Sequence, residues 1–284
     1  MIRKLLPVMI VLALASMACG FHVSLPFTIT PGPMVTDPID VPLPADATQS
    51  VNLSLAFGTG TLQVHPGAGK LVSGTAKYNV PDFKPSVTVD GPNVRIEQGN
   101  WRLNGITDLS KIKNEWDLSL GSQPLDLSVE AGGYKAEYEL GGLALTNLTV
   151  KDGASDIKMN FASPNLADMS LLRYETGASN LSLTELGNAN FSSLSFKGGA
   201  GNFTLDFSGA LKRDGSVNIE TGISNTTLVI PSGIPVQLTV DGGLSNVTYG
   251  SSWSKNGSLY SQDGSGPQLT IMVHIGAGNL TLTR

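Results

Sequence analysis

Gly199-Ala200-Gly201-Asn202-Phe203-Thr204-Leu205 is the stretch that decides the fold, because the chain keeps returning to it. Copies read Gly177-Ala178-Ser179-Asn180-Leu181-Ser182-Leu183 and Gly222-Ile223-Ser224-Asn225-Thr226-Thr227-Leu228. Two more read Gly243-Leu244-Ser245-Asn246-Val247-Thr248-Tyr249 and Gly276-Ala277-Gly278-Asn279-Leu280-Thr281-Leu282. Weaker copies start at Gly58 and Gly153, and from Gly153 the steps are 24, 22, 23, 21 and 33 residues. A period near 22 marks units that cannot cover their own apolar faces and must stack. Each unit reads as strand, Gly corner, strand and second turn. The prediction is an all-β protein, a β-solenoid of short stacked strands about 4.8 Å apart.

Two repeat positions carry the corner. Gly177, Gly199, Gly222, Gly243 and Gly276 supply a backbone shape that other residues resist. Asn180, Asn202, Asn225, Asn246 and Asn279 tolerate a left-handed conformation, satisfy turn backbone groups or stack in a ladder, with Asp156 standing in once. The flanking residues alternate apolar and Thr/Ser, as a half-buried strand does. Before the clear repeats, strands are expected at Val51–Phe57, Gly60–His65, Gly69–Tyr78, Ser86–Val89 and Asn93–Gln98, with a turn at Gly91-Pro92-Asn93. Trp101 to Trp116 is less regular.

The N-terminus is different in kind. Arg3 and Lys4 precede a nearly unbroken apolar run from Leu5 to Ala18, and small residues lead into Cys19. This reads as an export signal over residues 1–18, too short for a membrane span of about 20 residues. Cys19 is the only cysteine, so no disulfide forms within the chain. Residues 19–48 hold Pro26, Pro31, Pro33, Pro38, Pro42 and Pro44 and read as an extended tether. The globular part is then 49–120, followed by repeats over 121–284 that continue it.

Two resemblances sharpen this reading. Cys19, just after the signal core, resembles the lipobox of bacterial lipoproteins, although Ser16 stands where that pattern usually has Leu. The resemblance implies lipidation at Cys19 and anchoring to the outer face of a bacterial membrane. The repeats, together with Gly58-Thr59-Gly60-Thr61-Leu62, Gly67-Ala68-Gly69-Lys70-Leu71 and Tyr78-Asn79-Val80-Pro81-Asp82-Phe83-Lys84-Pro85, resemble the toast-rack family of bacterial cell-envelope proteins and the related adhesin-like β-solenoids. That likeness covers about residues 50–284 and offers no catalytic residues. Some members accompany envelope stress regulation, and others are exported lipoproteins.

Motifs for chemistry fall away one by one. Gly-x-Ser pieces at Ser155, Ser179, Ser224 and Ser245 lack the Gly that a nucleophile elbow needs two residues later. Gly199-Ala200-Gly201 and Gly276-Ala277-Gly278 lack the third Gly and the helix of a dinucleotide site. A calcium-binding β-roll needs Asp where Phe203 stands. His22, His65 and His274 are isolated, so no metal site or cofactor is expected. Nine Asn-x-Ser/Thr triplets look like glycosylation acceptors, but the repeat explains most of them, with Asn in the turn and Thr/Ser on a strand's outer face. A net charge of −5 without basic blocks excludes the footprint of a nucleic-acid binder. Asp206, Glu220 and Asp241 are read as occupying different positions in their units, which argues against an acidic cleft across rungs.

The long step before Gly276 inserts Gly250 to Pro267, where Asn256-Gly257 signals a hairpin flanked by Trp253 and Tyr260. Those aromatics either cover the end of the solenoid or form a ligand-binding pair. The reading is therefore a non-catalytic, exported, lipid-anchored scaffold, adhesin-like or sensing module, with an envelope glycan or a membrane protein as partner. A carbohydrate-binding module on Trp253 and Tyr260 is the alternative, and a glycan-cleaving β-helix enzyme the second. Because the chain ends on a repeat at Arg284, self-association through that C-terminal edge is also expected.

Overall fold

A 16-residue strand drawn straight would run about 53 Å, yet only Glu185–Asn190 leads from one repeat strand to the start of the next. Six residues reach about 23 Å at most, so each strand must fold back on itself. The computed structural model, which describes residues 31–44, 50–99 and 111–284, shows how. The strands are β1 (Val35–Val41), β2 (Val51–Pro66), β3 (Val72–Tyr78), β4 (Pro85–Asp90), β5 (Asn93–Gln98), β6 (Asn114–Leu120), β7 (Pro124–Glu139), β8 (Ala144–Asn160), β9 (Met169–Thr184) and β10 (Phe191–Asp206). They continue with β11 (Gly215–Val229), β12 (Val236–Tyr249), β13 (Ser254–Asn256), β14 (Leu259–Gln262) and β15 (Leu269–Thr283). The strand–corner–strand units of the sequence are single bent strands, so the expected Val51–Phe57 and Gly60–His65 pair is one strand, β2.

The bend closes the core. In β10, Phe196 before the corner and Phe203 after it meet edge to face with ring centroids 5.0 Å apart. Stacking then turns each inward position into an apolar column. Leu127, Leu148, Leu172, Leu194, Val217, Ile271 and Leu238 follow one another in parallel register on one arm. All seven are buried. Met159, Leu183, Leu205, Leu228 and Leu282 form the matching column on the other arm. Each fully buried aliphatic side chain contributes about 1.5–3 kcal/mol of transfer free energy, so the columns outweigh any surface interaction described below.

Eight strands stack in parallel in the order β2-β7-β8-β9-β10-β11-β15-β12. The order corrects the expectation that the last repeat is the last rung. The chain makes β12, leaves it for the antiparallel hairpin β13–β14, and returns with β15 between β11 and β12. That excursion accounts for the 33-residue step. The strand that ends near Arg284 is therefore interior, and the outer rung is β12.

The first rung is covered in two halves. β5 pairs with Asn52–Ala56 and is itself paired by β4, while β6 pairs with Thr61–Pro66 and carries β3 and then β1 beyond it. β1 lies inside the stretch read as a tether, and its Ile39 and Val41 are 1% and 2% exposed. The folded part therefore starts by Val35, not near Ser50. Pro38 is tolerated because β1 is an outer strand, where a missing N–H costs no ladder bond. The signal segment and Cys19 lie outside the described residues. Among the described residues, no helix is long and apolar enough to cross a membrane.

Candidate functional site

The corner that every rung shares is the most regular surface on the molecule. Gly153, Gly177, Gly199, Gly222 and Gly276 lie at that corner, and none has a positive φ. They are glycine because each sits on the carbonyl of the glycine one rung below. A Cβ on Gly199 would lie 2.5 Å from the Gly177 carbonyl oxygen, and one on Gly222 2.5 Å from that of Gly199. Close approach, not a special backbone shape, sets this position. Two residues later the requirement changes, since Gly60, Gly201 and Gly278 have φ of 129°, 148° and 138°.

The repeat asparagines are exposed and have ordinary φ; among the described residues, the left-handed ones other than glycine are Glu185 and Asn190, in a connecting turn. Of the roles expected for these asparagines, the ladder is the one observed. Asn202 Nδ2 donates to Asn180 Oδ1 at 2.9 Å, Asn225 to Asn202 at 3.2 Å, and Asn279 to Asn225 at 2.8 Å. Asn246 follows Asn279 in register.

A second column runs on the other side of the glycine strip. Glu130, Lys151, Glu175, Lys197, Glu220, His274 and Asp241 are neighbours in register, rung after rung. Glu220 and Asp241 thus share a repeat position, both flanking His274, contrary to the expectation that they do not. Lys197 Nζ is 3.0 Å from Glu220, and His274 Nδ1 is 3.7 Å from Asp241. Exposed pairs of this kind contribute about 0–1 kcal/mol each, so alternation here does little for stability. It keeps the stripe locally neutral while presenting a charged or imidazole side chain at each rung from β7 to β12. Residues of this column, with Gly198, Gly199 and Gly222, line an open groove of about 490 Å³.

Hydrogen bonds from Lys197 and then Asn218 hold the Glu220 carboxyl below its ordinary value of 4.5. A Lys197→Ala variant is expected to move the Glu220 titration, followed by carboxyl carbon shifts in NMR, back toward that value. An unchanged titration would show that the pair is not formed in solution.

Inside the corner of the middle rungs lies a polar knot. Asp152 accepts from Tyr174 Oη at 2.7 Å and from Tyr134 Oη at 3.4 Å, and Tyr134 and Tyr138 hydroxyls are 3.0 Å apart. Thr176 also donates to Asp152 and lies 2.5 Å from Ser179 Oγ. Ser224 repeats the arrangement with Thr221 and Thr226 at 2.8 and 3.1 Å. Ser179 and Ser224 thus bond to neighbouring hydroxyls inside the corner, not to a histidine. His65 lies elsewhere, 2.9 Å from Asp117. Among the described residues, no three His, Cys, Asp or Glu side chains are grouped to hold a metal.

Trp253 and Tyr260, read either as cover for the solenoid end or as a ligand-binding pair, are 6% and 3% exposed. Tyr260 packs edge to face on Tyr249 at 5.1 Å, and Lys255 Nζ lies 5.2 Å from its ring centroid. The hairpin turns both rings inward because an exposed aromatic there would leave the end of the apolar columns wet. A second open groove, about 480 Å³, is lined by Asn52, Ser54, Asp90, Asn93, Arg95 and Asp126 on the first rungs.

Parallel bent rungs in register, a glycine corner and a first rung covered in two halves by β5 and β6, each backed by antiparallel strands, define a β-solenoid of the toast-rack type. The chain belongs to the toast_rack family: the profile of the N-terminal domain of toast_rack, DUF2154, matches residues 30–171 and again 170–229. Among solved structures, a candidate cell adhesion protein from Clostridium sporogenes is similar at 19% identity and a TM-score of 0.50, over 88% of this chain and 99% of its own. A candidate adhesin from Bacteroides fragilis matches at 11% identity and a TM-score of 0.40, over 90% and 99% of the two chains. A candidate lipid binding protein from Parabacteroides distasonis matches at 10% and 0.37, over 89% and 99%. Nothing among curated proteins matches the chain.

Proposed function

We propose that this protein is a non-catalytic, exported cell-envelope lipoprotein that acts as an adhesin-like scaffold or sensing module through its corner face. The observation that carries the reading is the pair of polar columns, one of amides and one of alternating charge, running rung after rung beside bare glycine backbone. Such a surface offers many weak, equivalent contacts to an extended partner and no enclosed pocket for a reaction. The apolar N-terminal segment with Cys19 supports export and anchoring, and the family supports an envelope setting. The candidate adhesins of the same fold are consistent with adhesion.

Two measurements test this. Full-length protein expressed in a bacterium should incorporate labelled fatty acid, and Cys19→Ser should abolish it; equal labelling in both would remove the anchor. Protein carrying Cys19→Ser, which lacks the anchor, should still be retained when incubated with isolated envelopes, and adding Lys151→Glu/Lys197→Glu, which breaks the alternation at two rungs, should remove most of that retention. Equal retention of both proteins would take the binding role away from the corner face. A second reading, carbohydrate binding, is favoured only by the groove at Asn52, Asp90 and Arg95, because Trp253 and Tyr260 are buried. A glycan array with an Asp90→Ala/Arg95→Ala variant tests it, and glycan binding equal in variant and wild type would end it.

A further inference from the structure

The apolar columns of the core end differently at the two ends of the stack. At the far end, Leu238 of β12 meets Tyr260 of the hairpin in register, and Tyr260 is buried. At the near end, the same column runs from Leu127 through Leu53 and Val94 to Val89. Its neighbour runs from Val129 through Leu55 and Ile96 to Val87. Val94 and Ile96 are buried, but Val87 and Val89 are 42% and 58% exposed. Among the described residues, no strand pairs with the outer side of β4. β1, the last strand of the other arm, packs against β4 and brings Met34, Val35 and Leu43, all exposed. Half of the ten exposed large apolar side chains of the described residues therefore gather at this one end. Exposed apolar surface concentrated in one place marks a contact site.

The occupant follows from two observations. Both outer strands are guarded against a protein strand, since β1 carries Asp37, Pro38 and Asp40, and β4 begins at Pro85 and ends at Asp90. A partner here must take apolar side chains without asking for a backbone ladder, as a fluid bilayer does. The chain also enters the fold at this end. Residues 20–30 separate Cys19 from Pro31, and those eleven residues span at most about 40 Å. The opposite rung, β12, lies nine strand spacings from β4, about 43 Å further on. We infer that this end of the solenoid rests on the lipid surface, with Val87 and Val89, and Met34, Val35 and Leu43 of the other arm, set into the headgroup–acyl boundary. The inference rests on the reading of Cys19 as the lipid anchor. It stands the solenoid on end, so that the corner columns run away from the membrane and the β13–β14 hairpin is outermost.

The test uses the full-length acylated protein in phosphatidylcholine vesicles. Cys19 is the only cysteine, and the anchor takes up its thiol. Val89→Cys then gives one free thiol for an environment-sensitive fluorophore, and Ile223→Cys gives a control at the corner. Both side chains are exposed, so both variants should keep the wild-type circular dichroism and unfolding midpoint. Lipids carrying a quencher near the headgroup should quench the probe at 89 about threefold or more above the probe at 223, because an interfacial apolar face sits only about 5–10 Å into the boundary. In a Leu43→Cys protein, adding Val87→Asp/Val89→Asp should bring quenching down to the level seen at 223. Equal quenching at 89 and 223, or quenching at 43 indifferent to the aspartates, would overturn the inference while acylation, read from the mass of the same preparation, stands. Protein without an acyl chain would overturn the anchor and this inference together. A Cys19→Ser/Val89→Cys protein whose probe shifts with protein concentration in the absence of vesicles would overturn it by giving this end to a second copy.

Discussion

Gly199→Ala and Gly222→Ala should each destabilise the protein by about 3 kcal/mol, although each adds one methyl group to an exposed corner. The reason is geometric. The new Cβ would lie 2.5 Å from the carbonyl oxygen of the glycine beneath. That atom is backbone, held in a ladder whose strands lie about 4.8 Å apart, so it cannot rotate away as a side chain would. The rung must separate or tilt, and either move disturbs the apolar columns on both sides. Gly69→Ala and Gly250→Ala are the controls. Nothing lies within 4 Å of a Cβ at either position, and neither has a positive φ, so both should stay within about 0.5 kcal/mol of wild type. Urea unfolding of the four variants decides it. If the corner variants match the controls, the glycine contacts seen between rungs are looser than their distances imply.

That glycine column is also where the sequence was most legible. A residue that recurs at 21–24 steps beside an Asn and an alternating strand announces stacked rungs, and those positions do form the corner. What periodicity cannot supply is the order of stacking. Leu269–Thr283 carries the same repeat as its neighbours, and nothing in its own residues says that it slips between β11 and β12. The long step before Gly276 is the available signal, and it reads as a hairpin insertion without saying that the chain changes its place in the stack. The charge column was missed for a different reason. Its members stand two residues before the repeat glycines, at Glu175, Lys197, Glu220, Asp241 and His274, so aligning on the glycine exposes it. Comparing three acidic residues alone does not, because the alternation lies between signs. β1 was hidden by composition, since six prolines over residues 19–48 outweigh the short alternation of Ile39 and Val41. Trp253 and Tyr260 could have gone either way, as a hairpin sequence does not say which face will meet a core.

Raising the pH above 10 should unfold this protein far more steeply than its modest charge suggests. Tyr134, Tyr138 and Tyr174 are 5%, 2% and 0% exposed, and burial, reinforced by neighbouring phenols and by Asp152, pushes each hydroxyl well above its ordinary value of 10.0. Burial, and then the 2.6 Å hydrogen bond to Asp37, push the Tyr78 hydroxyl up to about 12. The direction of the effect follows from linkage. A group whose folded pKa is raised gives stability that is complete below the unfolded pKa and lost as pH climbs through the folded one. Above pH 10 the unfolded chain has released these protons while the native protein still holds them, so unfolding is drawn forward. Each phenol contributes about 1.4 kcal/mol per pH unit, and the three of the corner knot with Tyr78 together about 5.5 kcal/mol per unit. Denaturant unfolding at stepped pH between 9 and 11 should therefore show stability nearly flat at first and then falling at about that slope. Tyrosinate absorbance should rise in two stages, the second coinciding with loss of structure. Tyr138→Phe, which removes one hydroxyl from the knot while leaving the Tyr174–Asp152 bond, should reduce the slope by about a quarter. A gradual fall with all tyrosines titrating before unfolding would mean that water reaches the knot, and that the corner of the middle rungs opens far more readily than its packing indicates.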